Sequence, residues 1–273
     1  MSFMRIVYAL VIFTLFSSCG SKKKNNELYS CQDNALAEIF YLDVYKQVQI
    51  YVGAYLSKKT PSDAGITLTS NVNQNSITYP FNLTIDYGTA DHLCSDSKYR
   101  RGLLKVAVYG NTGDTSLLDI TKAIVTFDSY YMNQTKAIGT YTITNNGLNT
   151  DGLPYFFLSV VSGNIINANG TMTWNSSKYL TMNAGKDTKN IITDDSYTLL
   201  GNGSGKDFKG TDFSANISAD CVVDPNCKYY IKSGTMSIEP YNLDVRNLNY
   251  GSGTCTGQIQ VQIGESSFYF SMQ

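Results

Sequence analysis

The stretch Gly102-Leu103-Leu104-Lys105-Val106-Ala107-Val108-Tyr109 decides the fold of this chain. Leu104, Val106 and Val108 recur at every second position with Lys105, Ala107 and Tyr109 between them, which is the period of a half-buried strand and not of a helix. The period returns near the other end, where Ile259, Val261 and Ile263 alternate with Gln258, Gln260 and Gln262, and Phe268 and Phe270 flank Tyr269. Strands with one dry and one wet face belong to antiparallel sheets. Turn signals separate the runs at Asn145-Asn146-Gly147, Asp151-Gly152, Asn167-Ala168-Asn169-Gly170, Gly201 to Gly205, Pro240-Tyr241-Asn242 and Gly264-Glu265. Residues 81–273 thus read as one antiparallel β domain, a meander of about ten to twelve strands forming a sandwich or an open barrel.

Upstream the period changes. Ser30-Cys31-Gln32-Asp33 fits a helix-start box, and Leu36, Phe40, Val44, Val48, Val52 and Tyr55 follow at helical spacing, so residues 31–56 are predicted to form one helix. Glu38, Asp43, Lys46 and Gln49 mark its other face, which places the helix on the outside of the sheet with that face in water. Residues 57–80, with Pro61, Asp63, Gly65 and a run rich in Asn and Ser, read as a connector.

The first residues read as an address. Arg5, the apolar run Ile6 to Phe16 and the small residues Ser17 and Ser18 make residues 1–18 a secretory signal, too short to span a bilayer. Leu15-Phe16-Ser17-Ser18-Cys19 resembles a bacterial lipobox, in which cleavage before the Cys is followed by lipidation of Cys19. Residues 19–30, carrying Lys22, Lys23 and Lys24, then form a polar tether. Cleavage removes only Arg5 among the charged residues, so 20 basic and 22 acidic side chains remain and the mature charge is −2.

With 42% hydrophobic and only 16% charged residues the chain is not a disordered one. Its near-neutral charge supplies no attraction for nucleic acid, so no nucleic-acid partner is expected.

Lipidation of Cys19 leaves five cysteines, at 31, 94, 221, 227 and 255, an odd set that allows two bridges and one free thiol. If Pro240-Tyr241-Asn242 closes a hairpin, Cys227 and Cys255 lie equally far from Tyr241 and face one another. A bridge from Cys221 to Cys227 across the short Val222 to Asn226 loop is the competing pairing. No Cys pair is accompanied by a second pair or by His ligands, so no metal and no cofactor is expected.

Few residues suggest chemistry. His92 is the sole histidine, and Asp91-His92-Leu93-Cys94 sets a carboxylate, an imidazole and a thiol side by side in the chain, which does not establish a folded catalytic geometry. Gly201-Asn202-Gly203-Ser204-Gly205-Lys206 lacks the first Gly and the final Ser or Thr of a phosphate-binding loop, with Leu200 and Asp207 in those places, and reads as a hairpin turn. Asp86, Asp194 and Asp195 could serve glycoside hydrolysis only if two of them faced across a cleft, and neighbours on a strand point to opposite faces. Asn149-Thr150-Asp151-Gly152 has the character of a calcium loop, but Gly147 and Leu158 stand where ligands belong. Tyr130, Tyr131, Tyr229 and Tyr230 are the rings that exposure would turn into a sugar platform. Ile85 to Val108 and Leu248 to Ile263 echo each other, each with a Tyr-Gly, a Cys and a strand, as an old duplication would.

A resemblance runs through these segments from about residue 31 to the C-terminal end. Asp86-Tyr87-Gly88, Arg100-Arg101-Gly102, Asp128-Ser129-Tyr130-Tyr131, Thr144-Asn145-Asn146-Gly147, Trp174-Asn175-Ser176 and Asn249-Tyr250-Gly251-Ser252-Gly253-Thr254-Cys255, in that order, resemble a family of uncharacterised lipoproteins of Bacteroidota. Here Cys255-Thr256 replaces the family's common Cys-Asp, and residues 92–97 depart from its pattern. The resemblance implies a mostly β envelope lipoprotein and transfers no activity or site residue. The expected function is a lipid-anchored, non-catalytic binding or structural module in the bacterial envelope, as an outer-membrane lipoprotein. Its partners would be the membrane, through the anchor, and an unidentified protein or glycan. The alternative is a carrier of lipid or another small hydrophobe in a cavity under the helix, separable from the module by whether that cavity is unfilled. A hydrolase using carboxylates or Cys94 and His92 is the third reading.

Overall fold

The computed structural model describes residues 25–61 and 63–272. The predicted signal at 1–18, the lipidation site Cys19 and the first half of the tether lie outside the described residues.

Among the described residues one helix, α1 (Tyr29–Leu56), precedes fourteen strands. They are β1 (Thr67–Ser70), β2 (Phe81–Asp86), β3 (His92–Leu93), β4 (Tyr99–Tyr109), β5 (Lys122–Met132), β6 (Thr135–Leu148), β7 (Pro154–Asn167), β8 (Gly170–Ala184), β9 (Ser196–Lys206), β10 (Asp212–Val223), β11 (Ile231–Pro240), β12 (Arg246–Ser252), β13 (Gln258–Ile263) and β14 (Ser266–Ser271). All pair antiparallel in a single sheet that follows chain order, except that β3 pairs beside β4 and off the main path. The expected meander is present, as one open sheet and not a sandwich, and β1 and β14 leave it unclosed. The two strands beyond the expected twelve are β1, inside the predicted connector, and the two-residue β3.

The sheet wraps the helix. Phe40 meets Phe127 and Tyr130 of β5, Tyr41 meets Tyr141 of β6 and stacks on Trp174 of β8, and Tyr45 meets Phe156 of β7 and Tyr197 of β9. Phe40, Val44, Val48 and Val52 are fully buried, as the helical spacing predicts, while Leu36 is half-buried. The opposite face departs from the expectation: Glu38, Asp43 and Gln49 are also buried, and Lys46 is half-buried. A largely enclosed helix can carry buried polar side chains where they find partners, and most of them do here, although the Tyr41 and Tyr45 hydroxyls have none. Lys178 of β8 binds Glu38 at 2.6 Å, Trp174 donates to Asn34 at 3.0 Å, Tyr87 donates to Gln47 at 2.9 Å, and Gln49 donates to Asp195 at 2.7 Å. The helix-start box also serves the fold and not a cap. The helix begins at Tyr29 with no side-chain cap, the Ser30 hydroxyl donates to Asp207 at 2.6 Å, and Asp33 accepts from the Phe208 N–H at 2.8 Å.

Gly201 to Gly205, predicted as a turn, is strand interior in β9. A Cβ at Gly205 would lie 1.9 Å from the Thr173 carbonyl oxygen, and one at Gly203 would press on the Trp174 indole at 3.3 Å. These glycines hollow the strand so that Trp174 can stack on Tyr41 across it.

Cys227 and Cys255 form a disulfide. The β11–β12 hairpin that brings them together pairs Thr235 with Asn249 and Ile238 with Arg246, so it centres on Asn242, one residue later than the sequence suggests. Both cysteines lie beyond the paired strands, Cys227 in the turn before β11 and Cys255 in the segment between β12 and β13, so the bridge does not follow the strand register. Cys31, Cys94 and Cys221 are free and buried.

Candidate functional site

The second half of α1 has one side that the sheet does not cover. Lys46, Ile50, Ala54 and Ser57 recur at three- and four-residue spacing and line an open cleft of about 550 Å³. Its other wall comes from loops: the segment after the helix with Lys59 and Asp63, the approach to β4 with Asp96, the β8–β9 loop with Asn190, and the β10–β11 loop with Asn226.

Most polar groups here already have partners. The Lys46 ammonium donates to the Pro225 carbonyl at 2.9 Å, and burial lowers its pKa. Asp63 accepts from the Tyr51 hydroxyl at 3.1 Å and from the Ser95 N–H at 2.8 Å. The Asn226 amide donates to the Thr193 carbonyl at 2.8 Å, and the Asn190 amide donates to the Thr115 carbonyl at 3.0 Å. Asn190 also sits on the helix at Gly53, where a Cβ would lie 2.2 Å from its Oδ1. The loops forming the far wall are thus held by side-chain-to-backbone bonds, which preorganises the cleft.

Behind the cleft lies a buried charge cluster. Asp43 accepts from Lys98 at 2.8 Å, from Arg100 Nη2 at 2.6 Å and from the Tyr230 hydroxyl at 2.7 Å, and Asp96 takes the other side of the Arg100 guanidinium at 2.8 and 2.7 Å. Burial alone would raise the Asp43 pKa, but the Arg100 guanidinium and the Lys98 ammonium hold it well below the usual carboxylate range. Two carboxylates and two cations balance, so the cluster braces the cleft floor.

The residues singled out for chemistry do not converge. Cys94 is buried, burial raises its pKa, and its thiol points to the His92 carbonyl at 3.8 Å and not to the imidazole. Asp194 is exposed and accepts from Thr188, whereas Asp195 is buried against Gln49 and Tyr197. Asp86 accepts from the Gly88 N–H in a turn, and Asn149 does the same for Asp151 and Leu153. Among the described residues no three His, Cys, Asp or Glu side chains group as metal ligands. Tyr130 and Tyr230 are buried in the core, and Tyr131 and Tyr229 are half-buried, so these four form no exposed platform. An exposed ring lies elsewhere: Tyr179 on β8 stacks on the half-buried Tyr155 at 5.3 Å and touches the half-buried Phe157 at 5.1 Å, all on the outer face. That trio was readable, since Tyr155, Phe157 and Tyr179 fall in the outward phase of their strands.

A second, shallower groove of about 310 Å³ lies on the outer face over β10–β13, with Asn247, Asn249, Gln260 and Gln262 among its lining residues. Gln260 and Gln262 belong to the outward alternation that marks β13 in the sequence.

Fold and site together define a class: an open antiparallel sheet wrapped around a buried helix, with a cleft along the uncovered part of that helix. Comparison with family models, with curated proteins and with solved structures finds no match.

Proposed function

We propose that the chain is a lipid-anchored lipoprotein of the bacterial envelope whose folded part is a non-catalytic binding module, with the cleft beside α1 as its binding site. The anchor rests on Leu15-Phe16-Ser17-Ser18-Cys19 and on the resemblance to lipoproteins of Bacteroidota. No described helix is long and apolar enough to cross a membrane. The observation that carries the module reading is the filled interior: Phe40, Val44, Val48 and Val52 occupy the space that a carried hydrophobe would need. Most residues lining the cleft are polar, but the surface they expose is more apolar than polar, which suits a partner of both characters such as a glycan or a protein loop. The carboxylates and thiol that a hydrolase would use are held apart in turns and core contacts, which favours binding over catalysis.

Two measurements test this. Labelled palmitate should enter the wild type and not Cys19→Ser, and the wild type should sediment with membranes; equal labelling sinks the anchor. Native mass spectrometry of the purified protein should show no stoichiometric hydrophobe beyond the anchor, and a retained one would favour the carrier.

A further inference from the structure

The contacts around the start of α1 say which end of the molecule faces the bilayer. Arg246 donates to the Asn25 carbonyl at 2.9 Å, Ser30 is held by Asp207, Lys209 lies over the Tyr29 ring at 5.3 Å, and the Tyr241 N–H donates to the Asp212 carbonyl at 2.8 Å. The start of the helix, the β9–β10 turn and the β11–β12 turn therefore form one end of the wrapped sheet. Asn25 is fixed to that end.

Resting on the lipoprotein reading, we infer that this end, with Tyr29, Lys209 and Tyr241, docks on the headgroup layer of the bilayer that holds the anchor, and that the cleft is carried at the distal end. Cys19 lies six residues before Asn25, and a fully extended chain of that length spans about 20 Å. The anchor cannot reach farther than that from Asn25. Tyr241 is 70% exposed and Tyr29 46%, at the position where amphipathic rings settle at a membrane interface. Lys209 on this end, and Lys22, Lys23 and Lys24 in the intervening segment, suit an anionic surface. The helix of 28 residues runs about 42 Å, and Lys46, where the cleft begins, lies about 25 Å beyond Tyr29 along the axis. Standing on its anchored end, the molecule presents the cleft to partners away from its own membrane.

The test uses the acylated full chain in vesicles of phosphatidylethanolamine and phosphatidylglycerol containing a headgroup spin label. A fluorophore is attached through Tyr241→Cys or, in a separate protein, through Lys59→Cys at the cleft; both positions are exposed. Quenching should be several-fold stronger at 241 than at 59. Equal quenching, or stronger quenching at 59, with the acyl mass present on Cys19 overturns the orientation and leaves the anchor standing. Absence of the acyl mass overturns the anchor, and the orientation with it.

Discussion

Replacing Asp43 by Asn tests whether the buried charge cluster braces the fold. Asp43 and Arg100 are fully buried and Lys98 is 5% exposed, so none of the three can turn to water without opening the core. In Asp43→Asn the Arg100 guanidinium keeps both bonds to Asp96, but the Lys98 ammonium is left with neutral acceptors alone, the Asn amide oxygen and the Tyr230 hydroxyl at 2.9 Å. One positive charge is then left without an anion. Breaking a buried pair in this way costs about 3 to 5 kcal/mol. Urea unfolding at pH 7 with the disulfide intact should show that loss at an unchanged slope. Adding Lys98→Met removes the unpaired charge, and the double variant should recover at least half of it. The wild-type carboxyl titrates below its unfolded value, so its contribution is complete above about pH 4 and disappears only in stronger acid. A loss below about 1 kcal/mol, or strict additivity of the two substitutions, would refute the bracing role.

Gly53→Ala should destabilise by about 1 to 3 kcal/mol although alanine is the better helix former by about 1 kcal/mol, because its Cβ would displace Asn190. Thermal melts should show this loss, and Asn190→Gly, which suits the positive φ there, should restore stability in the double variant. Burial raises the Asp33 pKa to about 6, so the folded state holds a proton that the unfolded chain has released, and stability falls as pH rises from about 4 through 6. Asp33→Asn keeps an acceptor for the Phe208 N–H and should flatten that slope in chemical denaturation, gaining up to about 3 kcal/mol at pH 7. Replacing Cys227 and Cys255 together by Ser should cost about 3 to 4 kcal/mol for a loop of this length, as measured by urea unfolding against the oxidised wild type.

What was legible in the sequence follows from where each element's burial is decided. Strand positions are sorted by one face against another, so alternation located β4, β8 and β13 to within a few residues. The enclosure of α1 was not legible from α1 itself, because Glu38, Asp43 and Gln49 have the same side chains whether they meet water or a partner 55 to 146 residues away. The signal lay in the strands. Lys178 falls in the inward phase of β8 with Met172, Trp174, Leu180 and Met182, Arg100 in that of β4 with Leu104, Val106 and Val108, and Arg246 in that of β12 with Leu248 and Tyr250. A cation in the dry phase of a strand requires an anion or carbonyl inside the sheet, supplied here by the helix for Lys178, by the helix and Asp96 for Arg100, and by Asp244 and the segment before the helix for Arg246. The three meet the chain in order along the axis, Arg246 at Asn25, Lys178 at Glu38 and Arg100 at Asp43. The close ring contacts of Phe40, Tyr41 and Tyr45 and the ion pairs of Glu38 and Asp43 together hold the helix against sliding or rotating by one residue, since such a shift would break the packing and strand Lys178 and Arg100, and the Asp43 cluster is the one that lies behind the cleft.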